Sequence, residues 1–369
     1  MNSTTNKIRS RNHNSQTKMH QTPIPFEAEE VNGGGGERRK EVNTKREKRW
    51  ALSTFEELPD YMKDNDFIRK YYRVEWPIRD AALSLFRWHN ETLNIWTHLV
   101  GFGLFLGLTL VNLVHVPQFL QLLRSFPYGA ADTITWLNTK ILMGMAKLLD
   151  MNNIIHLGYD HISMTEQMLA TRWPFYVFLS GAMFCLFSSS ICHLFCCHSY
   201  HLSMQLLRVD YFGINIMIIT SFFPPIYYIF QCNPVWQLVY LSVISLMGLF
   251  TGITLFSPTL SSGDYRGFRT TLFVLMGIFG VVPAIHAVVL LWDNPRRNVT
   301  IACELLMGFF YLVGAAFYVS RIPERFKPGR FDIAGQSHQI FHVLVVMGAL
   351  AHYCAALVFL EFRDAVGCS

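Results

Sequence analysis

Three histidines and one aspartate have the side-chain types and the spacing that a metal site needs. His338 and His342 are four residues apart, so on a helix both imidazoles lie on one face and can reach a single ion. His193 lies near the end of one apolar run, and Asp210 lies near the start of the next. Three histidine ligands with one open position are typical of catalytic zinc sites. We therefore predict a Zn2+ site made by these three histidines. Asp210 is expected to contact the ion through a water molecule, or to orient and deprotonate that water.

The elements that carry these residues are predicted to be membrane-spanning helices. Hydrophobic residues make up 51% of the 369 positions and charged residues 15%, whereas average soluble chains carry about 25% charged residues. This composition excludes a disordered, collagen-like or small disulfide-rich protein and predicts an all-α membrane protein. A spanning helix needs about 20 mainly apolar residues. By that criterion the chain has seven spans, at about 94–114, 173–195, 206–230, 234–256, 270–292, 299–320 and 338–360.

The distribution of basic residues predicts a cytosolic N-terminus and an outer C-terminus, the reverse of G-protein-coupled receptors. Of 31 Lys and Arg residues, 17 lie before residue 92. The short loops alone carry equal numbers on the two sides. The orientation therefore depends on the basic residues nearest the first span, such as Arg87, and on the group between Arg321 and Arg330 that precedes the seventh span.

The regions outside the spans are assigned from composition. Residues 1–50 are polar and basic and are predicted to be a disordered cytosolic tail, since they lack the apolar core of a signal peptide. Residues 51–91 are predicted to be a cytosolic juxtamembrane segment. Residues 92–362 form the seven-helix domain and 363–369 the outer C-terminal tail. The sequence assigns no function to the long outer loop at 116–170.

Two further features concern the juxtamembrane segment and the cysteines. Apolar residues recur at helical spacing between Pro77 and Trp88, with Arg79, Asp80 and Arg87 on the other side, which predicts a short interfacial helix. Most of the eight cysteines lie inside apolar runs and are interpreted as buried hydrophobic residues, not as a disulfide framework.

The predicted topology brings the four polar residues to one depth. The second span runs inward and ends near His193, while the third and seventh spans start at the same face with Asp210 and the histidine pair. The metal site is therefore expected near the cytosolic face. Ser189 precedes His193 by four residues and shares its helix face. It is expected either to stabilise a developing oxyanion or to pack helix on helix. His98, His286 and His352 are expected to serve packing or hydrogen bonding.

The same residues belong to longer motifs that resemble the progestin and adipoQ receptor family. The opening motif lies at His89–His98, and the closing motifs lie at Arg321–Asp332 and Ser337–His342. Ser189 and Asp210 stand where the middle motif of that family expects them. The resemblance covers roughly residues 55–365 and is strongest to the plant heptahelical proteins. It implies an inverted seven-helix bundle around a lipid-filled cavity. It also implies zinc on the residues that match His193, His338 and His342, with Asp210 acting through water.

Two classes of function follow. The favoured hypothesis is a receptor-like protein of hormone, sugar or abiotic-stress signalling, with a cytosolic protein partner for its N-terminal region. The alternative is a zinc-dependent lipid amide hydrolase, because the resemblance implies slow ceramide hydrolysis in adiponectin receptors. Zinc-activated water would then attack the amide, with Asp210 as proton acceptor and Ser189 as oxyanion partner. Membrane lipids, ceramide or another sphingolipid among them, are the expected ligands, and no nucleic acid is expected. The expected location is the plasma membrane, with the Golgi or endoplasmic reticulum as alternatives.

Overall fold

The computed structural model describes residues 50–114, 171–257, 260, 263–292 and 297–366. Most of the predicted tail, the outer loop 116–170 and the last three residues lie outside these ranges. Within them the regular elements are helices, and the β-structure consists of one isolated bridge between Ser53 and Tyr72. The all-α prediction is confirmed.

The first α-helix corresponds to the predicted interfacial helix but is shorter. Helix α1 (Ile78–Leu83) follows Pro77 and continues into a 3-10 turn at Ser84–Phe86. Pro77 fits this position because the first N–H groups of a helix have no carbonyl partner within the helix, so the missing N–H of proline costs no hydrogen bond. One detail of the sequence pattern is wrong, since Asp80 was placed on the polar outer side and is in fact buried.

Seven spans are long and apolar enough to cross a membrane among the described residues, which confirms the predicted number. The third and fifth spans each consist of two helices. In chain order the helices are α2 (Thr92–Val114), α3 (Trp173–Phe195), α4 (Tyr200–Ser221), α5 (Phe223–Ile229), α6 (Pro234–Leu255), α7 (Arg266–Phe279), α8 (Val281–Leu290), α9 (Arg297–Ser320) and α10 (Ser337–Val366).

The two divided spans break where proline or glycine interrupts the helix. Helices α4 and α5 meet at Phe222, two residues before Pro224, which is followed by Pro225. Helices α7 and α8 meet at Gly280, shortly before Pro283. Proline lacks the N–H that would continue the hydrogen-bond ladder, and its ring crowds the preceding turn.

Helix α3 lies at the centre of the packing that positions the candidate site, in contact with α2 and α4. Its approach to α4 requires a residue without a side chain. A Cβ atom on Gly213 would lie only 2.6 Å from Ser188 Oγ and 3.1 Å from the Cα of Cys185. Small residues of this kind allow membrane helices to approach closely. The close approach holds the α3 segment around Ser189 against the first half of α4, which carries Asp210.

A polar layer, which we call the cap, covers one end of the bundle and consists of residues 50–91 and 321–336. Its two segments are joined by hydrogen bonds from Gly329 N to Phe67 O (3.0 Å) and from Arg69 N to Asp332 Oδ1 (2.8 Å). Glu324 is completely buried, and its carboxylate accepts a 2.8 Å hydrogen bond from the backbone N–H of Ser337. A carboxylate at a helix N-terminus satisfies free N–H groups and the helix dipole. The cap therefore fixes the start of α10, the helix that carries His338 and His342.

The opposite end of the bundle has one feature that the sequence analysis missed. Six cysteines are free and five of them are buried, in line with the interpretation as small hydrophobic residues. Cys232 differs, because it is disulfide-bonded. Its sulfur also accepts a 3.0 Å contact from Arg363 Nη1 near the end of α10. Helix α10 continues to Val366, so the first residues of the predicted outer tail are helical.

Candidate metal centre

Three imidazoles from two helices meet at the end of the bundle that the cap covers. One nitrogen each of His193, His338 and His342 can be chosen so that all three lie within 4.8 Å of one another. The Nε2 atoms of His193 and His338 are 3.2 Å apart. Within the described residues this is the one group of three or more histidine, cysteine or acidic side chains that could hold a metal ion. The structure thus brings the three predicted ligands together.

The spacing of these nitrogens fits a single zinc ion. With zinc–nitrogen bonds of about 2.0–2.1 Å in tetrahedral geometry, two ligand nitrogens lie about 3.3–3.4 Å apart. The observed 3.2 Å between His193 and His338 is close to that separation. The third imidazole, His342, is buried and stands next to the other two, with its ring centroid 4.6 Å from that of His338. The donor set is therefore suitable for a metal that prefers nitrogen ligands.

Glu91 orients the first of these histidines. Its Oε2 atom lies 2.8 Å from His193 Nδ1, on the side of the ring away from His338. A carboxylate accepts hydrogen bonds, so the Nδ1 atom carries the proton and the Nε2 lone pair faces the other histidines. Burial raises the pKa of the Glu91 carboxyl, but the interactions with His193, among them the hydrogen bond from Nδ1, outweigh burial and hold the pKa below its ordinary value. Carboxylate–histidine–metal arrangements of this type are common around bound zinc.

The start of α2 orients His342 in the same way. The Nδ1 atom of His342 lies 3.1 Å from the carbonyl oxygen of Asn94 and 3.2 Å from Thr97 Oγ1. Because the carbonyl is only an acceptor, Nδ1 carries the proton and Nε2 is free to bind an ion. The ring of His98 stacks on His342 with centroids 3.6 Å apart and limits its rotation.

Arg73 of the cap fixes the backbone beside His193. Its side chain is 1% exposed and donates hydrogen bonds to the carbonyl oxygens of His193 (2.7 Å) and Leu194 (2.9 Å), and to Ser84 Oγ (2.6 Å). Carbonyl groups in the last turn of a helix lack helical partners, and a cation there is favoured by the helix dipole. The cap thus holds the end of α3 as well as the start of α10.

Asp210 and Ser189 lie beside the three histidines but are not part of the cluster. Asp210 is buried in α4, and Ser189 is buried in α3, both near His193. Asp210 does not join the group of atoms within 4.8 Å of one another that the described residues form. Its predicted contact through water stays a prediction, and so does the role of Ser189 at an oxyanion.

The sequence analysis missed the residues that orient the histidines. Glu91 and Arg73 precede the first span, where the cost of a polar residue inside a membrane gives no reason to single them out. One signal was available for Glu91, because it directly precedes a span that starts at the same face as the predicted site. For Arg73 there was no comparable signal, since the carbonyl groups of α3 that it contacts lie about 120 residues further along the chain.

Comparison with known proteins gives consistent results. Residues 86–353 match the family described as haemolysin-III related. The chain is 53% identical over 321 residues to heptahelical transmembrane protein 1 of Arabidopsis thaliana, covering 87% of this chain and 85% of that protein. It is 52% identical over 328 residues to heptahelical transmembrane protein ADIPOR1 of Oryza sativa subsp. japonica, covering 87% of each. The adiponectin receptor protein of Drosophila melanogaster is 32% identical over 306 residues, covering 82% of this chain and 58% of that protein.

Proposed function

The chain belongs to the haemolysin-III-related family, and from that premise we propose that it is a receptor-like membrane protein with a zinc ion on His193, His338 and His342. The observation that carries this proposal is the meeting of three imidazoles, two of which are held in a fixed orientation by acceptors at Nδ1. The Nδ1 atoms of His193 and His342 face Glu91 and Asn94, so their Nε2 atoms are left for an ion. An ion bound there would join α3 to α10.

The receptor role rests on similarity together with this architecture. Heptahelical relatives and an adiponectin receptor protein cover most of the chain. The cap connects residues 50–91 directly to the segment before α10. A cytosolic partner of the N-terminal region would therefore sense rearrangements of the helices at the metal site. Hormone, sugar or abiotic-stress signals are the proposed inputs, and the plasma membrane is the proposed location, with the Golgi or endoplasmic reticulum as alternatives.

The proposed orientation keeps the N-terminus and the cap in the cytosol. The disulfide at Cys232 supports this assignment, because that residue follows α5 at the end of the third span and thus at the outer side. Disulfides persist in oxidising compartments and are rare in the cytosol.

A second candidate, zinc-dependent hydrolysis of a lipid amide such as ceramide, is favoured by one specific observation. Asp210 and Ser189 are both buried beside His193, outside the set of three ligands. A bound zinc ion would supply a Lewis acid and a water molecule of lowered pKa. Asp210 would accept a proton in the buried layer, and the Ser189 hydroxyl would donate a hydrogen bond to the oxygen of the substrate carbonyl.

One preparation tests both candidates. Purified protein in detergent is assayed for hydrolysis of a fluorescent ceramide, as wild type and as Asp210→Asn, while zinc content and melting temperature are measured with and without a chelator. The receptor proposal predicts a melting temperature several degrees lower after chelation, and no turnover above that of Asp210→Asn. Turnover that falls about a hundredfold or more in Asp210→Asn at unchanged zinc content would favour the hydrolase instead. A chelator that changes neither the melting temperature nor the rate of ceramide hydrolysis would contradict both candidate functions.

A further inference from the structure

A cavity of about 230 Å³ lies in the cap, away from the three histidines, and is lined by aromatic side chains. Its walls are Trp50, Leu52, Trp76, Arg87, Trp88 and His89. Trp76 is buried and meets Trp50 edge-on, with ring centroids 5.2 Å apart. The back of the cavity is thus rigid, whereas Trp88 is 65% exposed and forms an open rim.

One cation and no carboxylate line this cavity. The guanidinium of Arg87 lies over the ring of Trp50, 4.7 Å from its centroid. Such stacking uses one face of the guanidinium and leaves its N–H groups in the plane free to bind an anion in a bidentate way. Burial, and next the positive charge of Arg73, lower the pKa of His89 to about 3. His89 is therefore neutral at physiological pH, and the charge at the cavity is that of Arg87.

The surroundings place the cavity at the level of lipid headgroups. Ile78, Leu83 and Phe86 are all more than half exposed on α1 and its 3-10 turn, beside the rim residue Trp88. Helix α2 enters the membrane directly afterwards, at Thr92. Amphipathic segments with exposed Trp and Phe lie in the interface, and tryptophan is enriched at that depth. The opening is thus next to phosphate groups of the adjacent leaflet.

We propose that this cavity is a binding site for the headgroup of an anionic phospholipid, whose phosphate pairs with Arg87 while Trp88 packs on the glycerol and the start of the acyl chains. The lining favours an anion because Arg87 is its one charge. A free headgroup would lose the contacts of the acyl chains with the exposed apolar side chains of α1, so the occupant is a lipid of the membrane itself.

The test measures retained lipid on the full-length chain by native mass spectrometry. Delipidated protein in mild detergent is incubated with equal amounts of phosphatidylserine and phosphatidylcholine, as wild type, Arg87→Gln and Arg79→Gln. Arg79 is the matched control, because it is an exposed arginine on the same segment and does not line the cavity. We expect wild type to retain phosphatidylserine preferentially. Arg87→Gln should reduce its occupancy about tenfold, as expected for the loss of a charge-assisted hydrogen bond, and Arg79→Gln should have little effect.

A second variant, Trp88→Ala, addresses the wall of the cavity without disturbing the buried core. It should also weaken retention, since the rim that packs on the lipid is removed. An equal loss in Arg79→Gln and Arg87→Gln would overturn the proposal, because it would indicate a diffuse attraction to surface charge. Retention that appears only after removal of residues 1–49 would overturn it too, because the chain's own tail would then occupy the cavity.

Discussion

Among the residues that the structure describes, two carboxylate–imidazole pairs lie within or beside the membrane-spanning helices, and one of them is part of the candidate metal site. Glu91 and His193 are 2.8 Å apart, and Glu304 and His352 are 3.0 Å apart. The first pair is an aligned hydrogen bond, whereas the contacting atoms of the second lie close without hydrogen-bond alignment. Acidic and basic residues within membrane helices are costly and are usually paired or functional. The two pairs have almost equal carboxylate–imidazole distances, but different residues surround them.

The surroundings decide what each pair can do. His193 faces two further imidazoles, and the cap holds the neighbouring backbone through Arg73. His352 instead packs edge-on against the ring of Phe178, with centroids 4.7 Å apart, and joins α10 to α9 through Glu304. A carboxylate that orients a histidine makes a metal site only where other ligands converge. Elsewhere the same pair links two helices.

The comparison is tested most strongly by neutralising the two carboxylates separately. Glu91→Gln should weaken zinc binding about 10–100-fold, because the partner that orients the ligand and raises its basicity is replaced. Glu304→Gln is the matched control and should leave the zinc dissociation constant unchanged. Competition with a fluorescent zinc chelator measures both values. An equal loss of zinc affinity in the two variants would show that the Glu91–His193 pair has no special role in binding the ion.

The second pair should matter for stability. Glu304→Gln removes the carboxylate that faces His352 in the α9–α10 contact, so we expect a loss of at most about 1 kcal/mol in the free energy of unfolding. Scanning fluorimetry in detergent should record a melting temperature lower by a few degrees. An unchanged melting temperature would mean that the pair contributes nothing to the packing of α9 on α10.

A smaller effect is expected from the second partner of His342. Thr97→Val removes the hydroxyl 3.2 Å from Nδ1 but keeps the Asn94 carbonyl in place, so zinc affinity should fall only about threefold. Thr109→Val is the matched control, because Thr109 on the same helix bonds the carbonyl of Phe105 far from the histidines. The same chelator competition measures the zinc affinity of both variants. An equal change in Thr109→Val would contradict a role for the Thr97 hydroxyl in orienting His342.

The sequence predicted the helices well because hydropathy is a local property. The length of the apolar runs predicted the number of spans. It did not predict where a helix continues beyond its apolar run. Helix α4 starts at Tyr200, whereas the third span was predicted from residue 206. Ser199 caps this start by accepting a hydrogen bond from the backbone N–H of Leu202, and polar residues such as Ser203 and Gln205 lie in the helix before the predicted span.

The candidate site was predictable only in its innermost part. Topology and i, i+4 spacing brought the three histidines together, since each lies at the same end of its span. Glu91, Arg73 and Glu324 were not identified, because their placement depends on the cap. The cap forms by pairing residues more than 250 positions apart, such as Arg69 with Asp332. Nothing in local periodicity encodes such contacts. Cys232 was missed for the same reason, since its bond is also a tertiary contact.

The central claim is that His193, His338 and His342 hold one zinc ion, and the most direct test is the zinc content of the purified chain. Inductively coupled plasma mass spectrometry would be applied to wild type, to His338→Ala combined with His342→Ala, and to His352→Ala as control. The account predicts about one zinc per chain in wild type and in the control, and almost none in the double variant. A folded wild-type protein without zinc, or a double variant that keeps it, would contradict the account.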